Sequence, residues 1–175
     1  MCLPGFGSEP SLKVKLPLEA SVKVEGPSFE LHWYKDYADQ RRKISRHIKT
    51  LLSDGVRPEN IAILSPHSKD SSAVRDGLIE VPYPLVFPRP EDSIDKDQIG
   101  YYTIQSFKGM ESEVVLLIDL DNLSNDYDLT LNYIGGSRAF LVLSAFVSEK
   151  AESGIRKKTD NTIDNFNDLF IFSPV

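Results

Sequence analysis

The 175-residue sequence holds one cysteine, Cys2, so no disulfide can form within the chain. That fits a reducing compartment, and no zinc site or other metal centre is expected. Long hydrophobic runs are missing too. The opening MCLPGFGSEP has neither the basic nor the apolar stretch of a secretory leader, and no later run approaches the ~20 apolar residues a bilayer requires. A cytoplasmic protein with no membrane partner is the expectation. Cations are in deficit, 20 Lys and Arg against 26 Asp and Glu. A net charge of −6 argues against a surface that wraps nucleic acid all round, but permits a local basic track. Finally, the sequence lacks a phosphate-binding loop. PGFGSEPS near the start has two glycines but no Lys-Ser/Thr after them, and it is Pro-rich rather than set between a strand and a helix. The apolar run VVLLIDLD, closed by Asp119 and Asp121, looks like the acidic strand of a nucleotide hydrolase without that partner. Capping and turn formation are the plainer roles for its two carboxylates.

What is present is the alternation of an α/β domain. With 41% hydrophobic and 26% charged residues, one compact domain can bury a sizeable core. Residues 1–28 read as an irregular or edge segment. Residues 29–35, FELHWYK, alternate as a strand does, with Trp33 and Tyr34 read as core. Asp36 caps a helix in which Tyr37, Ile44, Ile48, Leu51 and Leu52 recur at helical spacing up to Asp54-Gly55. NIAILSP has the continuous apolar form of a strand buried on both faces. KDSSAVRDGLIE reads as a short helix and VPYPLVFPRPEDS as an irregular or edge connection. YYTIQ and EVVLLIDL read as strands, YDLTLNYIGGSRAF as a helix despite its glycine pair, and LVLSAF as a last buried strand. Strands alternating with helices imply a mainly parallel sheet flanked by helices over residues 29–147. Residues 148–175 are polar, with an apolar end, LFIFSPV, expected to dock on the body. His32, His47 and His67 fall on different elements and read as surface or packing residues. The helix with Arg41, Arg42, Lys43, Arg46 and Lys49 is either a solvated face or a DNA contact.

Two blocks carry more. TIQSFKGMESEVVLLI and LNYIGGSRAFLVLS resemble, in order and separation, motifs V and VI of the C-terminal RecA-like domain of superfamily 1 DNA helicases, the UvrD/Rep-like group. Thr103, Ser106, Lys108, Gly109 and Glu111 match the first motif, while Tyr133, Gly135, Ser137, Arg138 and Ala139 match the second. The resemblance covers about residues 61–146. It implies a three-layer RecA-like domain over 29–147.

It also implies roles. ATP with Mg²⁺ is bound in such helicases between two RecA-like domains, and is held mainly by the N-terminal one, which carries the phosphate loop. That domain of the same helicase and single-stranded DNA are the implied partners. Arg138 matches the arginine finger, Glu111 the ribose acceptor, and Gly109 a tight turn beside the nucleotide. Thr103, Gln105, Ser106 and Lys108 match the track that contacts the DNA backbone, where hydroxyl, amide and ammonium groups suit phosphates. Gln105 departs from the family's His. On this resemblance the chain is a motor domain, inactive without its partner domain. The rival is a non-catalytic RecA-like module that binds nucleic acid or a partner protein, with Arg138 a brace for the sheet and Lys108 a solvated loop residue.

Overall fold

The computed structural model describes residues 28–89, 92–123 and 126–151. Residues 1–27, the polar stretch from 152 on and the terminal LFIFSPV, expected to dock on the body, lie outside the described residues. Six strands form one sheet: β1 (Ser28–Tyr34), β2 (Ile61–Ser65), β3 (Leu85–Val86), β4 (Ile99–Thr103), β5 (Ser112–Leu120) and β6 (Ala139–Ser148). Their spatial order is β1-β6-β5-β2-β4-β3, and every pairing is parallel. Parallel neighbours cannot be joined by tight hairpins, so each connection must return the length of the sheet, and helices cover both faces.

The alternation of side chains divides the core in two. From β2 and β5, Ala62, Leu64, Val115 and Leu117 face one layer, while Ile61, Ile63, Val114, Leu116 and Ile118 face the other. Helix α1 (Tyr37–Ser53) closes the second layer with Ile44, Ile48 and Leu51. Its Asp36 cap is as expected: the carboxylate accepts the Asp39 N–H at 2.8 Å, satisfying one orphan donor of the first turn. The helix ends at Asp54, and Gly55 follows with φ +92°, a left-handed conformation that glycine adopts without a steric penalty. Helix α2 (Asp126–Gly136) closes the first layer through Leu131. Gly135 is what lets it approach. A Cβ built there would stand 2.9 Å from Leu117 Cδ1 and 3.3 Å from Ile104, so only hydrogen fits between helix and sheet.

Several readings of the sequence change: the strand read at YYTIQ is shifted to Ile99–Thr103, and the helix read as far as Phe140 stops at Gly136, with Ala139 and Phe140 in β6. Residues 69–80 do not form a helix; a single 3-10 turn, Lys69–Ser71, is followed by irregular turns. The Ala73 N–H, which a helix would give to the carbonyl four residues earlier, goes instead to the Asp119 carboxylate at 3.1 Å. Gly77 and Glu80 both have positive φ, which ends any helical run. The last strand also begins two residues earlier and ends two later than LVLSAF, because Ala139 pairs with Ser112 and β1 extends the ladder to Ser148. The Pro-rich connection contributes only the two residues of β3 at the sheet edge, where a missing N–H is tolerated.

Replacing Gly135 with valine forces α2 away from Leu117 and Ile104. Urea denaturation is expected to show a loss of about 1–3 kcal/mol, the range for overpacking. A Gly135→Val/Leu117→Ala double variant should cost less than the sum of the two single changes.

Candidate functional site

Because β4 and β5 run in the same direction, the block from Thr103 to Glu111 must travel from one end of the sheet to the other. Thr103 pairs with Ser65 at the C-terminal end of β2, while Glu111 stands just before β5 begins. Counted along β5, the two lie roughly seven residues apart, on the order of 20 Å. Thr103, which opens the block matched to the DNA track, and Glu111, matched to the nucleotide, thus sit at opposite ends, with Gln105, Ser106, Lys108 and Gly109 on the loop between them.

The first end is a tight turn. Thr103 Oγ1 accepts the Ser106 N–H at 3.1 Å and lies 3.0 Å from Ser106 Oγ, which also reaches the Thr103 carbonyl at 3.0 Å. Phe107 N–H closes onto the Thr103 carbonyl at 3.1 Å, and Ile104 and Phe107 drive inward as buried anchors. With those two inside, Gln105, Lys108 and Gly109 are left exposed. Gly109 has φ +86° with open space around its missing Cβ, so backbone conformation alone calls for glycine there. The hydroxyls of Thr103 and Ser106 serve this turn, while the ends of Gln105 and Lys108 face solvent.

At the other end, Glu111 is exposed and lines an open cleft of about 300 Å³ with Glu59, Asp92, Tyr102 and Met110. Three carboxylates would repel a triphosphate there but can accept bonds from neutral hydroxyls. The strand register sets Arg138 beside this end: Ser112 N–H donates to the Arg138 carbonyl at 3.1 Å, and Ser112 pairs with Ala139. Glu111 and Arg138, 27 positions apart in the chain, become neighbours across the β5–β6 ladder. Arg138 is half-buried, and its Nε is buried without a hydrogen-bond acceptor among the described residues. No ion pair to it occurs among the described residues, which weighs against the brace reading. Next to it Phe140 is 69% and Leu141 51% exposed, and Tyr133 on α2 is 49% exposed.

The two acids of VVLLIDLD have different fates. Asp119 is buried, with φ +59°, at a register shift between Leu117 and Leu120. Its carboxylate accepts Ser65 Oγ–H at 2.7 Å and the Ala73 N–H at 3.1 Å. Oriented to satisfy both its ends, the Gln40 amide donates to the same carboxylate at 2.9 Å and accepts the Asp119 N–H at 2.7 Å. Burial pushes the Asp119 carboxyl above its ordinary range, and the bonds from Ser72, Ser65 and Ala73 oppose that shift. Asp121 lies outside the bulge. It accepts the Tyr34 hydroxyl and, at 2.8 Å, the Tyr37 hydroxyl. Burial and these bonds raise both phenols well above the usual range. Neither acid needs a metal to explain its place, and the turn from Asp119 to Asp121, closed by the Asp121 N–H at 2.9 Å, fits the plainer reading.

The basic helix is largely tied down. Arg41 donates to the carbonyls of Gly77 and Asp76, each at 2.7 Å; Lys43 reaches the Trp33 carbonyl and Asp39; Arg42 also meets Asp39; and Lys49 pairs with Glu80 at 2.8 Å. These bonds favour the structural reading over a DNA contact. The histidines lie on different elements, as expected, but two of them meet. His32 on β1 and His47 on α1 lie with ring centroids 4.8 Å apart, beside Glu30, and His32 stacks on Phe146 at 4.6 Å. The pattern E-x-H in a strand could have placed Glu30 and His32 on one face, but nothing local could have added His47. His67 sits apart, its carbonyl accepting the Tyr101 hydroxyl at 2.8 Å.

Desolvation lowers the pKa of both His32 and His47 from 6.5, outweighing the pull of Glu30, with Lys43 acting against the charge on His32 and His32 against that on His47. The unfolded chain therefore takes up protons first as pH falls. Stability contributed by the neutral pair is full above pH 6.5 and lost as pH drops through the depressed folded values. Thermal unfolding between pH 7.5 and 5.5 should show this loss, with a shallower slope in a His32→Asn/His47→Gln variant. An unchanged slope in that variant would contradict the assignment.

No family model matches the chain, and no curated protein matches its sequence at significance. Among solved structures, the C-terminal domain of a possible DNA helicase from Lactobacillus plantarum WCFS1 is similar, with TM-score 0.56 and 14% identity over 73% of this chain and 78% of that one. At that identity the likeness speaks to the fold alone. The chain has an α/β fold with an all-parallel six-stranded sheet, consistent with a RecA-like domain and shared in outline with that helicase domain.

Proposed function

We propose that this chain is the C-terminal motor domain of an ATP-dependent superfamily 1 DNA helicase of the UvrD/Rep-like kind. One observation carries the reading: the β5–β6 register sets Glu111 next to Arg138, whose buried Nε has no acceptor among the described residues. A guanidinium with no ion-pair partner among the described residues, at a surface bordered by exposed Phe140, Leu141 and Tyr133, suits a second domain docking there with its nucleotide. In that arrangement ATP supplies the hydrolysable phosphate and Mg²⁺ screens its charge, both held mainly by the N-terminal RecA-like domain. Arg138 meets the charge that develops on the γ-phosphate, Glu111 accepts from a ribose hydroxyl, and Gly109 allows the loop to turn beside it. Gln105 and Lys108, exposed on the loop between Thr103 and Glu111, track the phosphates of single-stranded DNA, with the Thr103–Ser106 turn fixing the start of that loop. The likeness in fold to a possible helicase domain agrees with this reading.

A second reading rests on one specific observation: the Thr103 and Ser106 hydroxyls bond to their own turn, which leaves fewer donors for DNA. On that reading the chain is a RecA-like module that binds nucleic acid or a partner protein without turnover.

In a polypeptide that joins this domain to one with a phosphate loop, Arg138→Ala is expected to lower ATP turnover about 10³-fold or more while leaving single-strand affinity nearly intact. Arg138→Lys should not rescue it, since lysine keeps the charge but loses the planar multi-donor contact. Lys108→Ala should weaken DNA binding and reduce its salt dependence, with DNA-independent turnover kept. Steady-state turnover and fluorescence anisotropy across a salt series measure both. Equal turnover in Arg138→Ala, Arg138→Lys and the parent would make the arginine a brace and favour the binding module.

A further inference from the structure

We propose that Glu30, His32 and His47 form a divalent transition-metal site, suited to Zn²⁺, that clasps the edge strand β1 to helix α1 and keeps one coordination position open to solvent.

The fold makes the site from two elements. Strand alternation puts Glu30, His32 and Tyr34 on the α1 face of β1, while Phe29, Leu31 and Trp33 pack against the other layer. Helix α1 anchors on that face through Ile44, Ile48 and Leu51, which brings His47 to its flank. One donor atom from each of the three residues then lies within 4.8 Å of the others. Glu30 Oε2 is 3.4 Å from His32 Nε2 and 3.7 Å from His47 Nδ1. With Zn–N and Zn–O bonds of about 2.0–2.1 Å, tetrahedral donors stand roughly 3.3 Å apart, so both carboxylate spacings are close to those of a formed site. Only the spacing between the two imidazole nitrogens, which is within 4.8 Å, must contract.

Two independent features point to a ligand. Among the described residues His32 Nε2 is buried and makes no well-aligned hydrogen bond, its one close polar neighbour being Glu30 Oε2 at 3.4 Å. A buried ring nitrogen without a partner is costly, and a metal would satisfy it. His47 Nε2 is 2.8 Å from Ser144 Oγ, on β6. That contact orients the ring, and with Nε2–H donating to Ser144 it is the Nδ1 lone pair that turns toward Glu30. A hydrogen bond to the far nitrogen is the usual support for a metal-bound histidine.

The chemistry of the donor set fits. Two imidazoles and one carboxylate suit zinc, and three protein ligands leave a fourth position for water. That position opens on a cleft lined by Trp33, Lys43, Arg46 and Thr50. Lys43 is offset by Asp39 at 2.9 Å, while Arg46 faces the cleft as a cation. The cationic rim weakens the binding of a bare metal ion and favours a negatively charged fourth ligand.

The test uses the full 175-residue chain. Titration with ZnCl₂ against a competing chelator should give one equivalent bound, and Co²⁺ should give the visible absorption of a low-symmetry site. His32→Ala and His47→Ala should each abolish stoichiometric binding. Glu30 is exposed, so Glu30→Gln tests the site in a folded protein even if a histidine variant misfolds; it should weaken binding more than tenfold. Ser144→Ala should weaken it by about 10- to 100-fold, the effect of losing an outer partner. Cys2→Ser and His67→Ala remove the other soft ligands and should leave affinity unchanged. Absence of stoichiometric binding, affinity unaltered by Glu30→Gln, or loss of binding with Cys2→Ser or His67→Ala would each overturn the proposal.

Discussion

The buried carboxylate of Asp119 is the interaction on which the arrangement of the sheet edge depends. A charge that is almost wholly removed from water must be matched by donors, and here they come from three separate parts of the chain: Ser65 at the end of β2, Ala73 in the turn that follows, and Gln40 on α1. Gln40 also accepts the Asp119 N–H, which the bulge has withdrawn from the ladder. One residue in a left-handed conformation thereby joins a strand, its neighbour, a loop and a helix. The cost of that conformation is small beside the loss of a satisfied buried charge. The same network stops residues 69–80 from winding into a helix, because the Ala73 amide is already committed.

Beyond the bulge the chain presents Asp121 to the hydroxyls of Tyr34 and Tyr37. These bonds fasten β5 to the start of α1 across β6. The C-terminal edge is thus closed by tyrosine–carboxylate contacts, while the N-terminal edge, where Glu111 and Arg138 meet, stays open. Parallel topology is the reason that the two edges differ so much in chemistry. Every crossover delivers its loop to one edge and collects the next strand from the other, so a single block such as residues 103–111 contributes to both. The closeness of α2 to the sheet at Gly135 fixes how far Arg138 can stand from the β5 terminus.

The opposite, α1-facing side of β1 has its own chemistry. Among the described residues β1 has a ladder partner on one side only, β6. Packing of α1 over Tyr34 and Phe146, the Lys43 bond to the Trp33 carbonyl and the contacts among Glu30, His32 and His47 supply the rest of its attachment. Helix cations that could have been read as a nucleic-acid surface are instead spent on securing this edge and the turn at 76–80.

Local chemistry sufficed for much of this. Apolar runs of the right length made β2, β4 and β5 legible as buried strands, helical spacing of Ile44, Ile48 and Leu51 gave α1, and Asp36 and Gly55 marked its ends. Parallel pairing followed from strands alternating with helices, since period and length are properties of the chain itself. What the tertiary structure alone decided are the meetings between distant residues: Glu111 with Arg138, Asp119 with Gln40, His47 with Glu30 and His32. Strand order, register and a bulge set these, and each depends on the sum of many weak packing contacts rather than on any short stretch. For that reason a pair of histidines 15 positions apart looked unrelated in the sequence, and a segment with helical spacing over 69–80 gave way to a buried carboxylate 46 residues further on.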